Sequence, residues 1–451
     1  MTIVGAIVVS TKALMSHRRG EPRLMMKKAV ILAAGDSTRM LPLSANQPKH
    51  LLPVAGKPLI FHTLKALQDA GIREVLIIYG YHKEKLNQAI ESQDWGKMAV
   101  SYVHQEKRKG TAHAAGYAKE FVGEDLSILM NGDIMLGPGS FEGLISYHKK
   151  GGYDLTLSVR PVDDPSAYGV VAVEEGKAVK LIEKPTKDQM VSNLVNAGLY
   201  IINKSLMDAI DKTEASPRGE FEITDSIGMM IKKGNVGGYS LPSWWLDIGK
   251  PWDLLEANKM ILSQIQTKIE GTVEDGAVIK GEIIVHQGAV IKTGAYIEGP
   301  ALIGENAAIG PNCYIRAYTS IGKNVKIGNA VEIKNCIIMD DTKIGHLSYV
   351  GDSVIGRDSN FGAGTITANL RHDNGDISVT VKGKRVSSGR RKLGVIIGDN
   401  VKTGIGTSIS PGVILHQGAR TGIGVIVDKD IEANKLVIAK QDQKIIDLKS
   451  E

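Results

Sequence analysis

The sequence predicts an α/β domain built on a doubly wound parallel sheet, followed by a solenoid of six-residue repeats. Apolar, β-branched runs alternate with helical segments from Lys28 to about residue 250, the pattern of strands joined by crossover helices. Apolar residues then recur at every sixth position, twelve times in succession, from Val273 to Met339. The chain also holds 51 Gly without collagen periodicity or low complexity, which points to many tight turns. Its 451 residues suit two or three domains. The 55 Lys+Arg and 49 Asp+Glu leave a net charge of +6, too scattered for a nucleic-acid-binding stripe but suited to small anionic substrates. A hydrophobic fraction of 43% with 23% charged residues excludes a disordered or fibrous chain. Cys313 and Cys336 are too few for a disulfide framework and suggest a reducing compartment.

Residues 1–26 read as an extension, disordered or a mis-assigned start ahead of Met25 or Met26. Residues 3–9 are apolar but far short of the ~20 needed for a membrane span. The basic residues that follow, Arg18, Arg19 and Arg23 among them, lack a secretory cleavage site. The expectation is a cytoplasmic protein with neither a membrane nor a nucleic-acid partner.

The first domain is expected over residues 27–250. Residues 29–32 form a strand leading into the loop Ala33-Ala34-Gly35-Asp36-Ser37-Thr38-Arg39. Residues 59–70 form a helix, with Pro58 in its first turn and Gly71 just beyond its end. Further strands are expected at 75–79 and 126–130. Ligands of such sheets sit at the carboxyl ends of the strands, where the glycine loop lies. The loop has neither P-loop nor dinucleotide-fold spacing and, alone, fits a plain strand-to-helix turn equally well. The residues that follow strengthen it. Arg39 and Lys49 supply two cations, as a triphosphate requires. Gln105 precedes Gly110-Thr111-Ala112-His113, whose glycine permits close approach to a base or sugar. Asp133 ends an apolar strand with a carboxylate, a common way to hold Mg²⁺, and Asp247 supplies a second.

Nine segments in order, among them LAAGDSTRM, PKHLLPVAGKPL, GTAHA, YGVV, NAGLY, GEFEITD and WLDIGKPWDLLEAN, resemble the sugar-1-phosphate nucleotidylyltransferases across residues 28–258. The family is Rossmann-like. The resemblance assigns Ala33, Ala34, Gly35, Arg39, Lys49, Gln105, Gly110 and Thr111 to the nucleotide, with Arg39 and Lys49 catalytic. It assigns Gly169, Glu183, Lys184 and Asn196 to a sugar phosphate, with Tyr168 and Gly198 shaping the pocket, and Asp133 and Asp247 to Mg²⁺. Ser37 stands where the family usually has a second loop glycine. His62 and His113 receive no role.

Residues 251–268 read as a linker helix with Leu254, Leu255, Ile261, Leu262 and Ile265 on one face. The repeat domain follows over 269–440, with a tail at 441–451. The six-residue register slips at Ile344 and Ile355 and returns at Ile397, Thr403, Ile409 and Leu415. This pattern resembles the left-handed parallel β-helix of hexapeptide transferases, in which three hexapeptides make one coil. Arg316 and Lys334, eighteen positions apart, should then stack on adjacent coils, a repulsion best justified by an anion between them.

The string at 345–369 resembles the acetyltransferase site of the bifunctional N-acetylglucosamine-1-phosphate uridylyltransferase/glucosamine-1-phosphate acetyltransferase family. His346 matches the general base of acetyl transfer. Arg316, Lys334, Tyr349 and Asn360 match sugar-phosphate contacts, and Ala363 and Asn369 match contacts to acetyl-CoA. An insertion over about 370–394 replaces a short turn of the bacterial enzymes and resembles the archaeal branch. Ile377, Val379 and Val381 alternate in it, which predicts a hairpin projecting from the coil. Its cations Lys382, Lys384, Arg385, Arg390, Arg391 and Lys392 suit either coenzyme A phosphates or a solvated arm.

The resemblance implies a bifunctional homotrimer using Mg²⁺ and acetyl-CoA. It would acetylate glucosamine or galactosamine 1-phosphate and transfer UMP or dTMP from UTP or dTTP to a sugar 1-phosphate. The rivals are a monofunctional sugar-1-phosphate nucleotidylyltransferase with a structural β-helix, and a non-catalytic assembly subunit. The acetyl-site residues speak against the first, and Lys49, Asp133 and Asp247 against the second.

Overall fold

The computed structural model describes residues 26–35, 37–80, 83–440 and 442–446; the extension to residue 25, Asp36 and the last five residues lie outside the described residues. One nine-stranded sheet organises the first half, in the order Ala99–His104, Glu74–Tyr79, Lys28–Ala33, Ser127–Asn131, Leu194–Ile202, Leu155–Pro161, Val236–Ser240, Lys177–Glu183, Gly169–Glu174. The first four strands are parallel, as expected. The sheet as a whole is mixed, because Leu194–Ile202 runs antiparallel to both of its principal neighbours. The chain reaches that strand from the hairpin of Gly169–Glu174 and Lys177–Glu183, through a short connection and no crossover helix. The helix Leu59–Asp69 buries Leu59, Ile60, Leu64 and Leu67, with Pro58 as its N-cap, one position earlier than expected. Ala33, Asn131 and His104 end neighbouring strands at one edge, so Gly35, Asp133 and Gln105 emerge together.

The second half is a left-handed parallel β-helix, with three sheets of eight, nine and eight strands. Val285, Ile303, Ile321, Ile338, Ile355, Ile397 and Leu415 form one continuous inward column. The register slips one hexad earlier than the sequence suggested. The column steps from Ile321 to Ile338, seventeen positions rather than eighteen, so Ile338 points inward and Met339 outward. Thr365 and Thr403 share a hydrogen bond of 2.8 Å inside the coil, which lets Thr403 occupy an otherwise apolar position. Cys313 and Cys336 are buried free thiols. Among the described residues, no helix is long and apolar enough to cross a membrane.

The two halves share a core. Met40, Leu52, Val54 and Met135 pack with Ile248, Trp252, Leu254 and Leu255 and with Ile337, Met339, Val354, Ile396 and Ile414 of the coil. The helix Asp253–Leu262 lies between them, and its Asn258 is fully buried. Asn258 Oδ1 accepts from Ala55 N (2.9 Å) and Ser320 Oγ (2.7 Å), and its Nδ2 donates to the Tyr318 carbonyl (2.8 Å). Asn258→Ala strands these partners, each buried unsatisfied group costing roughly 1–3 kcal/mol. We expect a loss of about 2–4 kcal/mol, read as an earlier urea midpoint. An unchanged midpoint would show that Asn258 does not tie the halves together.

The insertion does form a hairpin, Ser378–Val381 paired with Lys384–Ser387. It does not project. Ile377 and Val379 are buried in the shared core, because an exposed alternating strand would leave their apolar face in water. Nor do its cations form one cluster. Arg385 donates to the backbone carbonyls of Gly412 and Ser378, Arg390 pairs with Glu256 of the linker helix at 3.5 Å, and Lys384, Arg391 and Lys392 face solvent.

Candidate active sites

Two contiguous cavities open at the carboxyl edge of the sheet. The first, of about 700 Å³, is lined by Ala34, Gly35, Arg39, Lys49, Gln105, Gly110, Thr111 and Asp133. Ala33 is buried beside it and lines a smaller neighbouring cavity with Gly35 and Ser37. Ser37 opens a short 3₁₀ helix, and its hydroxyl accepts from the Lys49 amide at 3.3 Å, so serine serves at this position without a positive φ. Gly110, with φ 108°, must be glycine for a reason other than ligand approach. A Cβ there would lie 2.4 Å from the carbonyl oxygen of Phe221, in the segment that leads into the helix Ile223–Lys233 and closes on the loop. Thr111 Oγ1 accepts from the Ile223 amide at 2.9 Å and holds that closure. Gln105 is buried, with Nε2 2.8 Å from His113 Nδ1. Burial and the nearby Lys109 lower the His113 pKa, so a neutral ring accepts from the amide and orients Gln105.

Lys49 is buried and ion-paired with Asp133. Burial alone would raise the Asp133 pKa, but the Lys49 ammonium outweighs it and holds the carboxyl below its usual range. Asp247 lies alongside, because Trp245–Asp247 pairs antiparallel with Ile134–Leu136 and the Ile248 amide donates to the Asp133 carbonyl at 2.8 Å. Burial and the charge of Asp133 push the Asp247 carboxyl up to about 7. A carboxyl pushed up by burial and by a charged carboxylate beside it fits a divalent cation, and Mg²⁺ commonly takes one or two carboxylates plus substrate phosphates. No third carboxylate, histidine or cysteine completes an all-protein cage among the described residues.

The second cavity, of about 400 Å³, contains Gly169, Glu183, Lys184 and Asn196, together with Tyr168. Asn196 Nδ2 donates to Tyr200 Oη at 2.8 Å, and its Oδ1 accepts from the Gly198 amide at 3.3 Å. Lys184 sits at φ 45°, with its amide donating to the Tyr168 carbonyl at 2.9 Å; such strain in a non-glycine residue is typical of binding loops. Arg39, Thr111, Asn131, Asp133 and Lys184 line both cavities, so Arg39 stands at their junction.

On the coil, Arg316 and Lys334 do lie on successive rungs, with Ile315 above Ile333. Their charges are met by the protein's own carboxylates: Arg316 bonds Glu332 at 3.0 Å, and Lys334 bonds buried Asp352 at 3.1 Å. An intervening anion is therefore not needed to explain the stack. Asn369 Nδ2 reaches both Asp352 (2.6 Å) and Tyr349 Oη (3.0 Å), which places Lys334, Tyr349 and Asn369 in one network. His346 ends one strand and Tyr349 opens the next, on either side of a corner whose Leu347 has φ 50°. Asn360 lies exposed one rung on from Lys343 on the sheet of His346, and Ala363 precedes Gly364, whose amide donates to the His346 carbonyl at 3.3 Å. His346 is exposed.

Sequence reasoning missed several residues of the sites. His50 lines the first cavity, with its pKa lowered to about 3 by burial and by Lys49; its place directly after Lys49 was the available signal. Asp253 accepts from the Gly249 and Lys250 amides at 3.0 and 2.6 Å and lines the second cavity together with Asp247. Arg108 and Lys382 also line the first cavity, and Lys382 comes from the inserted hairpin.

The sequence model of the nucleotidyl transferase family matches residues 28–264, and that of the GMPPB C-terminal domain matches residues 297–415. The chain is similar to the bifunctional protein GlmU of Methanococcus maripaludis strain C7, at 46% identity over 93% of this chain and 98% of that one. It is 44% identical to the bifunctional protein GlmU of Methanocaldococcus jannaschii, over 92% of this chain and 98% of that one. A bifunctional sugar-1-phosphate nucleotidylyltransferase/acetyltransferase of Sulfurisphaera tokodaii is 41% identical, over 90% and 98%. The chain therefore belongs to the nucleotidyl transferase family, within the bifunctional branch that joins a nucleotidylyltransferase to a β-helical acetyltransferase.

Proposed function

We propose that the chain acetylates glucosamine 1-phosphate from acetyl-CoA and transfers UMP from UTP to the N-acetylated sugar 1-phosphate, releasing pyrophosphate. The observation that carries the second reaction is the pair of joined cavities with Arg39 at their junction and Lys49–Asp133 facing Asp247. In this reading the sugar 1-phosphate lies against Gly169, Glu183, Lys184 and Asn196, and one of its phosphate oxygens attacks the α-phosphorus in line. Arg39 and Lys49 neutralise the charge that builds there, and no covalent nucleophile is required. Asp133 and Asp247 would hold Mg²⁺, which when bound polarises phosphoryl oxygens. With Nε2 directed at His113 and at the Gly110 carbonyl (3.5 Å), the Gln105 side-chain carbonyl remains to accept from the uracil N3–H, a contact that thymine would satisfy equally.

For acetyl transfer, His346 takes the proton of the attacking amine, while Arg316, Lys334, Tyr349 and Asn360 hold the sugar phosphate. Ala363 and Asn369 lie where the thioester would approach. The site is open on one corner of the prism, and exposed Leu347, Ile405, Ile423 and Ile426 run beside it. Such a stripe on a soluble surface favours a further copy of the chain as its cover, and the reading is a homotrimer with shared acetyl sites. Substituting Ile405 and Ile423 together with Glu should lower the sedimentation coefficient and remove acetyl transfer, with nucleotidyl transfer retained. A parent chain that sediments as a monomer would overturn the shared site. The buried free thiols accord with action in the cytoplasm.

The deciding experiment supplies acetyl-CoA, glucosamine 1-phosphate and UTP, with dTTP and galactosamine 1-phosphate as parallel arms. Release of both CoA and pyrophosphate supports the proposal; pyrophosphate release without CoA release would favour the monofunctional alternative.

A further inference from the structure

The hairpin inserted in the coil ends at the nucleotide cavity. Lys382 stands on that cavity's wall with Arg39, Lys49, Arg108 and Lys184. It is the first residue of a two-residue turn: Val381 pairs with Lys384, and Lys382 and Gly383 have φ of 50° and 76°. Positive φ at both central positions is the signature of a type I′ turn, where Asn, Asp or Gly is the favoured first residue. Turn formation does not account for a lysine there.

The hairpin is also held firmly. Ile377 and Val379 are buried in the same core cluster as Trp252 and Leu254, Arg385 donates to Gly412 O and Ser378 O, and Arg390 pairs with Glu256. A tip on so anchored a base is delivered to a fixed place. Lys382 borders the nucleotide cavity only, whereas Arg39, Asp133 and Lys184 border the sugar-phosphate cavity as well. The reacting α-phosphorus must lie at the junction, and of the groups that extend beyond it into the nucleotide cavity the β,γ-phosphates, not the neutral base, match a cation.

We propose that Lys382 binds the β,γ-phosphates that leave as pyrophosphate, so that the acetyltransferase half supplies part of the nucleotidyl site. This rests on reading the cavity as the nucleotide site. It predicts that the two activities share more than a chain: the nucleotidyl site is incomplete without the insertion.

The test uses the full chain in the reverse direction, with UDP-N-acetylglucosamine, Mg²⁺ and pyrophosphate. Lys382→Asn places the favoured turn residue in the hairpin and so keeps it folded. The KM for pyrophosphate should rise about tenfold or more, the loss expected for a charge-assisted contact. The KM for the nucleotide sugar and the rate of CoA release should stay within about twofold, and Lys382→Arg should restore most of the pyrophosphate affinity. Equal rises in both KM values would mark a structural role for the tip, and no change in either would remove it from the site; both overturn the proposal. If the parent shows no reverse reaction with any nucleotide sugar, the proposed function fails first. Calorimetric titration of parent and Lys382→Asn with Mg²⁺-pyrophosphate then decides Lys382 by itself, with equal affinities overturning it.

Discussion

Replacing Asp247 with Asn should stop pyrophosphate release while leaving CoA release from acetyl-CoA at its parent rate. The carboxyl is pushed up to about 7 by burial and by neighbouring Asp133, so the substitution removes a repulsion and should not harm the fold. A neutral amide binds Mg²⁺ poorly, and charge stabilisation by such a metal contributes several kcal/mol, so the rate should fall on the order of 10³-fold. Asp133→Asn should abolish the same reaction but also destabilise the chain. It leaves Lys49, whose side chain is 8% exposed, as a charge without its partner. Breaking a pair of this kind costs about 3–5 kcal/mol when fully buried, and less here because the Asp133 side chain is 20% exposed. Asp247→Asn is thus the more decisive variant. The measurement is pyrophosphate release across a Mg²⁺ titration; a variant that keeps the parent rate at limiting Mg²⁺ would remove Asp247 from the metal site.

The first cavity was legible because its residues lie in contiguous strings at strand ends. Gly35, Gln105 and Asp133 each follow an apolar run, and a parallel sheet brings such ends to one edge. The hexad repeat was equally plain, since each coil repeats the same inward position. Its failure at Met339 is instructive. Ile337, Ile338 and Met339 are all apolar and all buried, so hydropathy could not say which one faces the coil interior. Only the backbone register, Ile321 against Ile338, distinguishes the inner column from the face covered by Trp252 and Leu254. The same shared core explains why the hairpin looked like a projecting arm. The alternation of Ile377, Val379 and Val381 showed that one face needed cover, but not that the cover was the linker helix. Glu332 and Asp352, one rung from their cations, were present in the sequence; the expectation of an anion weighed cation against cation and left those carboxylates out.

His346→Ala should reduce acetyl transfer by about 10²–10⁴, the usual contribution of a positioned general base. Its position makes the experiment readable. His346 ends a coil strand with its side chain exposed, so truncation opens no cavity and should not alter the melting temperature or the oligomeric state. Pyrophosphate release should be unchanged, because the ring is absent from both cavities of the first half. An imidazole nitrogen can take the proton of the attacking amine and pass it to solvent. Thiol release from acetyl-CoA in the presence of glucosamine 1-phosphate is the measurement, compared between His346→Ala and Tyr349→Phe. Tyr349 Oη accepts from Asn369 and, on the proposed reading, contacts the sugar, so its loss should raise the KM for the sugar phosphate more than it lowers kcat. His346→Ala should do the reverse, lowering kcat with little change in KM. If both variants lowered only binding, the proton would have to leave by another group, and the coil's role in the reaction would need to be assigned to a different corner of the prism.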